Sequence, residues 1–215
     1  MMKLYSYWRS SSAYRVRIAL NLKELDHEIV PVSLVADGGE HKKPAYRAIN
    51  PQGLVPFLQD GAVAIGQSTA ILEYLEECYP QNPLLPEDSA GRAFVRQIVN
   101  IISCDIQPLD NLRVLKYLSN DLGVTDAQKD AWYSHWIYEG FEALETLLTH
   151  ADRDGPYCFG HEITLADVYL APQVYNAHRF NVEIESYPEI VRCVEACNKL
   201  AAFQAARPEA QPDAA

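Results

Sequence analysis

The stretch 9–20, which decides the fold, reads Arg9-Ser10-Ser11-Ser12-Ala13-Tyr14-Arg15-Val16-Arg17-Ile18-Ala19-Leu20. It follows an alternating apolar run and opens an amphipathic pattern, which predicts a strand-to-helix junction. Serine oxygens at such a junction can accept hydrogen bonds from the free N–H groups of the first helical turn. The partial positive charge of a helix start also favours an anion, and a thiolate there gains from any hydroxyl hydrogen directed at it. Taken alone, the three serines are most simply a helix cap, so the interpretation depends on the rest of the chain.

Two short units of strands and helices follow one another in the first 80 residues. A strand, a helix and a strand within residues 4–32 form a βαβ unit, whose crossover is expected to be right-handed. Next, Gln59-Asp60-Gly61-Ala62 predicts a hairpin, and a helix completes a ββα unit. The predicted strands are 4–8, 27–32, 57–58 and 63–65, and the predicted helices are 13–22, 44–49 and 68–79.

Two positions beside the hairpin can meet an extended ligand. Pro56 cannot donate to a strand ladder, so it must be the first residue of its strand or an irregular entry to it. With a cis bond before Pro56, the turn would present the N–H and C=O of Val55 outward to a peptide. Gln67 and Ser68 form a second polar helix start, which is either a plain cap or another anion site.

A cluster of prolines at 80–86 marks a linker, beyond which every strong pattern is helical. We therefore expect two domains, 1–80 and 88–207, the first α/β and the second all-α. The tail after Arg207 carries prolines and alanines and is expected to fray. The helices predicted in the second domain are 93–102, 109–118, 129–148, 165–175 and 190–206.

Composition excludes several classes of function. The formal net charge of −11 argues against a nucleic-acid partner, which needs a clustered basic surface. Small anionic ligands stay open and would need local arginines. The 5 cysteines form no C-x-x-C pair and no zinc spacing, so we expect no metal site and a reducing, cytoplasmic compartment. No apolar run approaches membrane-spanning length, and the chain opens without an apolar signal segment, so no membrane association is expected.

The order βαβ, ββα, proline linker and helices resembles the glutathione S-transferases over almost the whole chain. Within that family the resemblance is to the zeta class. The motifs that carry it are YSYWRSSSAYRVRIAL at 5–20, Asn50-Pro51, Val55-Pro56, Gln67-Ser68, IQPLDNL at 106–112 and Pro172-Gln173-Val174.

The resemblance implies a thioredoxin-like glutathione-binding domain followed by an all-helical domain, the glutathione S-transferase fold. It implies glutathione as the cofactor and a homodimer as the assembly. The implied activity is a cis–trans isomerisation of a small anionic cis-enoyl keto acid, maleylacetoacetate to fumarylacetoacetate in tyrosine and phenylalanine breakdown. General transferase activity can accompany it.

The resemblance also implies roles for individual residues. Ser10 would hold the glutathione thiolate, with Ser11 as the alternative, because the sequence does not say which hydroxyl points at sulfur. Arg9 would assist catalysis and, with Arg113 and Arg179, bind the substrate carboxylates. The residues implied to bind the cofactor are Ser10, Ser12, His41, Val55, Gln67, Ser68, Gln107 and Asn111.

One departure from the class keeps alternatives open. The family motif has Cys where this chain has Ser12, which puts any role of that thiol in doubt. The bacterial maleylpyruvate isomerases of the same class also lack the Cys and carry an Arg where this chain has Arg113, so maleylpyruvate competes as the substrate. A general detoxifying transferase is a further alternative. It would line its second pocket with apolar residues, so the arginines argue against it. A scaffold protein without catalysis is the remaining alternative.

Overall fold

The computed structural model describes residues 1–151 and 154–214, and their contacts divide the chain into two compact units. The first unit contains Met1–Leu84 together with the segment from Lys199 onward, and the second contains Leu85–Asn198. The domain limits expected from the sequence stay a prediction. None of the helices in the described part of the chain combines the length and apolarity that a bilayer crossing requires.

The first unit is built on a four-stranded mixed sheet, which confirms the predicted α/β class. The strand order is β2-β1-β3-β4, with β1 parallel to β2 and antiparallel to β3, and β3 antiparallel to β4. A parallel pair needs a crossover, and the first helix supplies it. The strands are β1 (Met2–Ser6), β2 (His27–Pro31), β3 (Phe57–Asp60) and β4 (Val63–Gly66), and the helices are α1 (Ser11–Leu22), α2 (Pro44–Ile49) and α3 (Ser68–Cys78).

The sheet register aligns one end of each strand. Ser6, the last residue of β1, pairs with Pro31, the last residue of β2. Phe57, the first residue of β3, lies between Tyr5 on one side and Gly66, the last residue of β4, on the other. The chain therefore leaves β1, enters β3 and leaves β4 at the same end of the sheet.

The second unit is helical throughout its main elements, as predicted. Its helices are α4 (Ser89–Asn100), α5 (Leu112–Asn120), α6 (Asp126–His150), α7 (Leu165–Arg179) and α8 (Pro188–Cys197), with a π-helical segment (Ile101–Ile106) directly after α4. The helix predicted from residue 109 begins only at Leu112, because the Asn111 side chain caps it there. The π-helical segment packs against α6 at Gly140, where an added Cβ would lie 2.2 Å from Cδ1 of Ile106.

The end of the chain corrects two expectations. The predicted helix 190–206 is divided, because Leu200 is extended between α8 and a separate helix, α9 (Ala201–Ala206). The tail after Arg207 is held rather than frayed. It forms a short turn at Pro208–Ala210, and the Gln211 side chain donates to two backbone carbonyls, at 3.0 and 2.9 Å. Side-chain hydrogen bonds of this kind give no periodic signal in the sequence.

Candidate active site

The start of α1 has the geometry of a serine cap. Ser10 is extended, its Oγ accepts the Ala13 N–H at 3.2 Å, and its carbonyl accepts the Tyr14 N–H at 2.8 Å. Because Oγ uses a lone pair for the cap, its hydroxyl hydrogen is left to donate elsewhere. Ser11 is buried in the first turn and Ser12 is half-buried. The cap is thus observed, while the thiolate-binding roles of these serines stay predictions.

A tight turn carries the chain from β1 to Ser10. The Ser10 N–H donates to the Tyr7 carbonyl at 2.9 Å, which shortens the strand predicted at 4–8 to Met2–Ser6. Arg17, on α1 and fully buried, donates to Ser6 Oγ at 2.9 Å and to the Trp8 carbonyl at 3.1 Å. Through these contacts Arg17 fixes the turn before Ser10.

Arg9 lies in this turn and is exposed. Its guanidinium carbon is 4.2 Å from the centroid of the Trp8 ring, within the range of a cation–π contact. The stacking defines where the charge sits beside the start of α1. Its predicted role toward substrate stays a prediction.

The loop before β3 presents Val55. The carbonyl of Leu54 accepts hydrogen bonds from the Tyr46 hydroxyl at 2.7 Å and from the Asn50 side chain at 2.8 Å. The bond between Val55 and Pro56 is cis, which the sequence permitted without deciding it. Among the hydrogen bonds of residues 1–151 and 154–214, none uses the N–H or the C=O of Val55. Both groups can therefore pair with an extended ligand.

The start of α3 is strained. Gln67 has φ of 70° and ψ of 118°, a conformation that costs energy for a residue with a side chain and that concentrates at ligand sites. Its exposed amide donates to Gln52 Oε1 at 2.7 Å. Ser68 is buried, and its Oγ accepts from Arg15 of α1 at 3.5 Å. The contact of Arg15 with the start of α3 was not predicted, because helical periodicity does not identify partners outside the helix.

His41 occupies the loop after β2, in the short turn Glu40–Lys42. Its ring lies against Gly39, where an added Cβ would be 2.4 Å from the imidazole, and Gly39 has φ of 106°. Its carbonyl oxygen would lie 2.9 Å from a Cβ at Gly53, in the loop that ends at Val55. His41 therefore lies close to that loop.

In the second unit, the predicted residues of 107–113 cluster around the start of α5. The Asn111 side chain accepts the Arg113 N–H at 3.1 Å, which makes Asn111 a helix cap. Gln107 is half-buried at the end of the π-helical segment, and the Arg113 side chain is exposed. The roles of these three residues toward cofactor or substrate stay predictions.

Asp110, between them, is a residue that the sequence analysis passed over. It is 8% exposed, and no hydrogen bond to either carboxyl oxygen is found in the described part of the chain. Burial raises the pKa of Asp110 to about 8. The sequence around Asp110 does not indicate that its carboxyl is buried, because the burial of a loop residue depends on the elements that cover it.

Arg179 ends α7 in an exposed position. Its guanidinium carbon is 4.9 Å from the Phe180 ring centroid, and Phe180 stacks on Tyr133 with centroids 3.8 Å apart. Burial raises the pKa of Tyr133, the charge of Asp110 raises it further, and Arg179 lowers it. Arg179 and Asp110 thus both act on one buried phenol.

One cluster in the described part of the chain groups metal-ligating atoms. Atoms of Cys158, Asp167 and Cys193 lie within 4.8 Å of one another, all buried. Asp167 already accepts the N–H groups of Cys158 and Thr164, both at 2.9 Å, and so caps α7. Burial raises the pKa of Asp167, while a hydrogen bond with Cys193 and burial raise that of Cys158. We assign the cluster to helix capping, and the absence of a metal stays a prediction.

The predicted site residues thus fall into two groups, each within one unit. Residues of the first unit lie in the segments that follow β1, β2 and β4 or precede β3: Arg9, Ser10, Ser11, Ser12, His41, Val55, Gln67 and Ser68. Residues of the second unit lie at the start of α5 and the end of α7: Gln107, Asn111, Arg113 and Arg179. A thioredoxin-like unit that leaves the backbone groups of Val55 available to a ligand, joined to an all-helical unit, defines the glutathione transferase class of fold.

Comparison with known proteins identifies the family. Residues 4–83 match the family model of the glutathione S-transferase N-terminal domain, and residues 130–206 match that of the C-terminal domain. The chain belongs to the glutathione S-transferase family, in its zeta class, as expected from the sequence.

Two relatives match over nearly their full length. The chain is 48% identical over 211 residues to a probable maleylacetoacetate isomerase of Vibrio cholerae, covering 98% of this chain and 97% of that protein. It is 49% identical over 215 residues to the maleylpyruvate isomerase of a Ralstonia species, covering 100% of both.

Three solved structures of isomerases are also similar to this chain. The holo structure of a maleylpyruvate isomerase, described as a bacterial zeta-class enzyme, has a TM-score of 0.96 and 48% identity, covering 99% of this chain and 100% of that one. Maleylacetoacetate isomerase of Methylobacterium extorquens, with bound malonate and glutathione, has a TM-score of 0.94 and 38% identity, covering 99% of both. That of Anaeromyxobacter dehalogenans, with dicarboxyethyl glutathione and citrate, has a TM-score of 0.88 and 42% identity, covering 100% of this chain and 94% of that one.

The first unit has groups suited to each part of glutathione. The Ser10 hydroxyl at the start of α1 suits a thiolate, because hydroxyl hydrogen and helix start both favour negative charge. The N–H and C=O of Val55 suit a peptide backbone. The start of α3 at Ser68 suits a carboxylate. The chain therefore carries, at one end of its sheet, the polar groups that this cofactor requires.

Proposed function

We propose that the chain is a glutathione-dependent cis–trans isomerase that converts maleylacetoacetate to fumarylacetoacetate in tyrosine and phenylalanine breakdown. One observation carries the proposal: α1 begins at a serine whose oxygen caps the helix and whose hydroxyl hydrogen is left to donate to an anion. The full-length similarity to the isomerase of Vibrio cholerae supports the choice of reaction. General glutathione transferase activity can accompany the isomerisation.

Ser10 stabilises negative charge where the reaction needs it. When bound, glutathione supplies a thiolate that adds to the conjugated cis double bond and leaves again after rotation about the resulting single bond. Lowering the pKa of a thiol by about two units requires ~2.7 kcal/mol. A hydrogen bond to a charged group contributes ~1.5–3 kcal/mol and a helix start ~0.3–1 kcal/mol, so the Ser10 hydroxyl and α1 together suffice. Ser11 is buried and is the alternative donor.

The other residues of the first unit hold the remainder of the cofactor. Val55 pairs its backbone groups with the cysteinyl part, and Gln67 and Ser68 bind the γ-glutamyl carboxylate at the start of α3. His41 binds the glycyl end. The remaining cofactor contacts in this proposal come from Ser12, Gln107 and Asn111.

Three arginines bind the substrate. Arg9, Arg113 and Arg179 are all exposed, and a guanidinium can grip a carboxylate through two parallel hydrogen bonds. Such contacts orient a planar dianion and stabilise the enolate charge that develops beside its keto group. Arg9 is in the same turn as Ser10, so it is the arginine assigned to catalysis as well as to binding.

Maleylpyruvate is the second candidate substrate. The observation that favours it is the 49% identity, over the whole of both chains, to the maleylpyruvate isomerase of Ralstonia. Both substrates are cis acids with two carboxylates, and one arrangement of arginines serves both. Ser12, where the class has Cys, is compatible with either reaction.

The proposal also includes the setting of the enzyme. We place it in the cytoplasm as a homodimer, without a nucleic-acid or membrane partner. The 5 cysteines are free thiols, which suits a reducing compartment. The net charge of −11 is unfavourable for nucleic acid.

A comparison of three substrates tests the function. Purified protein is mixed with glutathione and, separately, with maleylacetoacetate, maleylpyruvate and chlorodinitrobenzene, and each reaction is followed by ultraviolet absorbance. We expect isomerisation of maleylacetoacetate to exceed the other two rates and to vanish without glutathione. A higher rate with maleylpyruvate than with maleylacetoacetate would make maleylpyruvate the preferred substrate. Turnover of chlorodinitrobenzene alone would refute the isomerase and leave a general transferase.

A further inference from the structure

The segment 207–214 returns to the turn that carries the start of α1. The Asp213 carboxylate accepts the Trp8 N–H at 3.0 Å, a contact between residues 205 positions apart. The segment is itself well fixed, because the Gln211 side chain donates to the carbonyls of Ala205 and Arg207 and the Ala214 N–H donates to the Gln211 carbonyl at 3.0 Å. Asp213 is thus presented to the turn by an ordered loop.

The turn between Tyr7 and Ser10 needs this partner. Its closing hydrogen bond runs from the Ser10 N–H to the Tyr7 carbonyl, and the Trp8 N–H, one residue into the turn, has no acceptor within it. Trp8 is a buried residue, and a backbone donor without an acceptor inside a protein is costly. Asp213 supplies the missing acceptor.

Arg17 connects the same turn to the end of α9, directly before the segment 207–214. Its Nε donates to the Ala206 carbonyl at 3.0 Å and its Nη2 to the Trp8 carbonyl at 3.1 Å. The peptide groups of Trp8 are therefore held at both the N–H, by Asp213, and the C=O, by Arg17. Ser10 follows two residues later, and the Arg9 guanidinium stacks on the Trp8 ring.

We propose that Asp213 is a positioning residue that holds the turn Tyr7–Ser10 and so sets the Ser10 hydroxyl and the Arg9 guanidinium for their work. The inference rests on the proposed function for the roles of Ser10 and Arg9. Asp213 acts through the Trp8 N–H and touches neither cofactor nor substrate. Loss of its carboxylate would leave the Trp8 peptide held only at its C=O, by Arg17, and the turn before Ser10 would be less firmly fixed.

Two substitutions separate the hydrogen bond from the charge. Asp213→Ala removes the acceptor, whereas Asp213→Asn removes the charge but keeps a side-chain oxygen that can accept the Trp8 N–H. Loss of negative charge alone would favour a nearby thiolate, so a charge effect and a positioning effect have opposite signs. Glu28→Ala is the matched control, because Glu28 is an exposed carboxylate of the same unit that pairs with Lys3.

The first measurement uses the protein without glutathione. Amide hydrogen exchange at Trp8 should accelerate ~10-fold or more in Asp213→Ala, since a hydrogen bond to a charged group is lost. Exchange should stay close to wild type in Asp213→Asn and Glu28→Ala. An unchanged exchange rate at Trp8 in Asp213→Ala would overturn the inference, whether or not the protein proves to be an isomerase.

The second measurement follows the glutathione complex. In Asp213→Ala we expect the pKa of the bound thiol to rise by ~0.5–1 unit and kcat to fall ~3–10-fold, with a smaller change in KM for glutathione. Asp213→Asn should restore both. If wild type is active and Asp213→Ala has the same thiol pKa and kcat as wild type, the inference is overturned. Equal losses in Asp213→Ala and Asp213→Asn would also overturn it. A wild type that binds glutathione without lowering its thiol pKa would instead refute the proposed function, and the Trp8 exchange would still test the contact.

Discussion

Replacing Ser10 by alanine removes one oxygen that is proposed to serve two purposes. As the cap of α1 it accepts the Ala13 N–H at 3.2 Å, and an alanine at a cap costs about 1 kcal/mol of folding stability. As a donor to the thiolate it contributes ~1.5–3 kcal/mol, which corresponds to a rise of ~1–2 units in the pKa of the bound thiol. The two losses appear in different measurements and can be read separately.

The assay is a pH titration of the thiolate absorbance in the glutathione complex, together with kcat at each pH. At neutral pH the thiolate fraction and kcat should fall in Ser10→Ala, by up to ~10-fold for a rise of one unit and up to ~100-fold for two, and both should recover as the pH rises past the new pKa. Ser11→Ala should shift the pKa less. Asp88→Ala is the control for stability, because the Asp88 side chain caps α4 through the Gly91 N–H at 2.8 Å. It should lower the free energy of unfolding by a similar amount without moving the thiol pKa.

Two results would refute this reasoning. A Ser10→Ala complex whose thiol ionises as readily as in wild type would leave Ser10 as a helix cap only. A larger shift in Ser11→Ala than in Ser10→Ala would transfer the thiolate to Ser11.

Three further predictions concern the second unit. Arg179→Ala should raise the KM for the dianionic substrate ~10-fold or more and that for glutathione much less, because a charge-assisted pair with a carboxylate is lost, and equal increases in steady-state kinetics would contradict its role. Burial raises the pKa of Asp110 from 3.8 to about 8, so the folded state keeps a proton that the unfolded chain releases. As the pH rises from about 4 to 8, the free energy of unfolding of wild type should therefore fall by ~1.4 kcal/mol per pH unit relative to that of Asp110→Asn. If urea unfolding gave the same pH dependence for both proteins, this prediction would be wrong. Gly140→Ala should lower the free energy of thermal unfolding by ~1–3 kcal/mol, because the new Cβ would lie 2.2 Å from Ile106 Cδ1. Adding Ile106→Val should recover part of that loss. If Gly140→Ala alone kept the stability of wild type, the two helical segments would be free to move apart at this contact.

The local patterns of the sequence predicted the order of the main elements and the starts of several helices. Alternating and helical periodicities report which face of a short segment is buried, and a serine or asparagine before a helix caps it through neighbouring atoms. For that reason Ser10, at the start of α1, could be read directly. Asn111 was singled out only through the family resemblance, and its capping role became visible in the structure.

Contacts between distant segments could not be predicted in this way. The cis bond at Val55 was permitted by the sequence but decided by the fold, and the positive φ of Gln67 was not foreseen. The division between α8 and α9 was missed because apolar residues continue through the extended Leu200. Family resemblance located the candidate site, but it did not say what holds the site in place.

By itself, then, the sequence determined the α/β-then-helical architecture and the serine-rich start of α1, because those depend on residues that are near neighbours along the chain. The family followed from the resemblance of motifs spread along the chain. Only the tertiary structure decided that Asp213 reaches Trp8, that Arg17 holds the turn before Ser10, and that Asp110 is buried with no hydrogen-bond partner among the residues described. Each of these depends on which distant backbone comes within hydrogen-bond range or excludes water, and no periodicity along the chain records that.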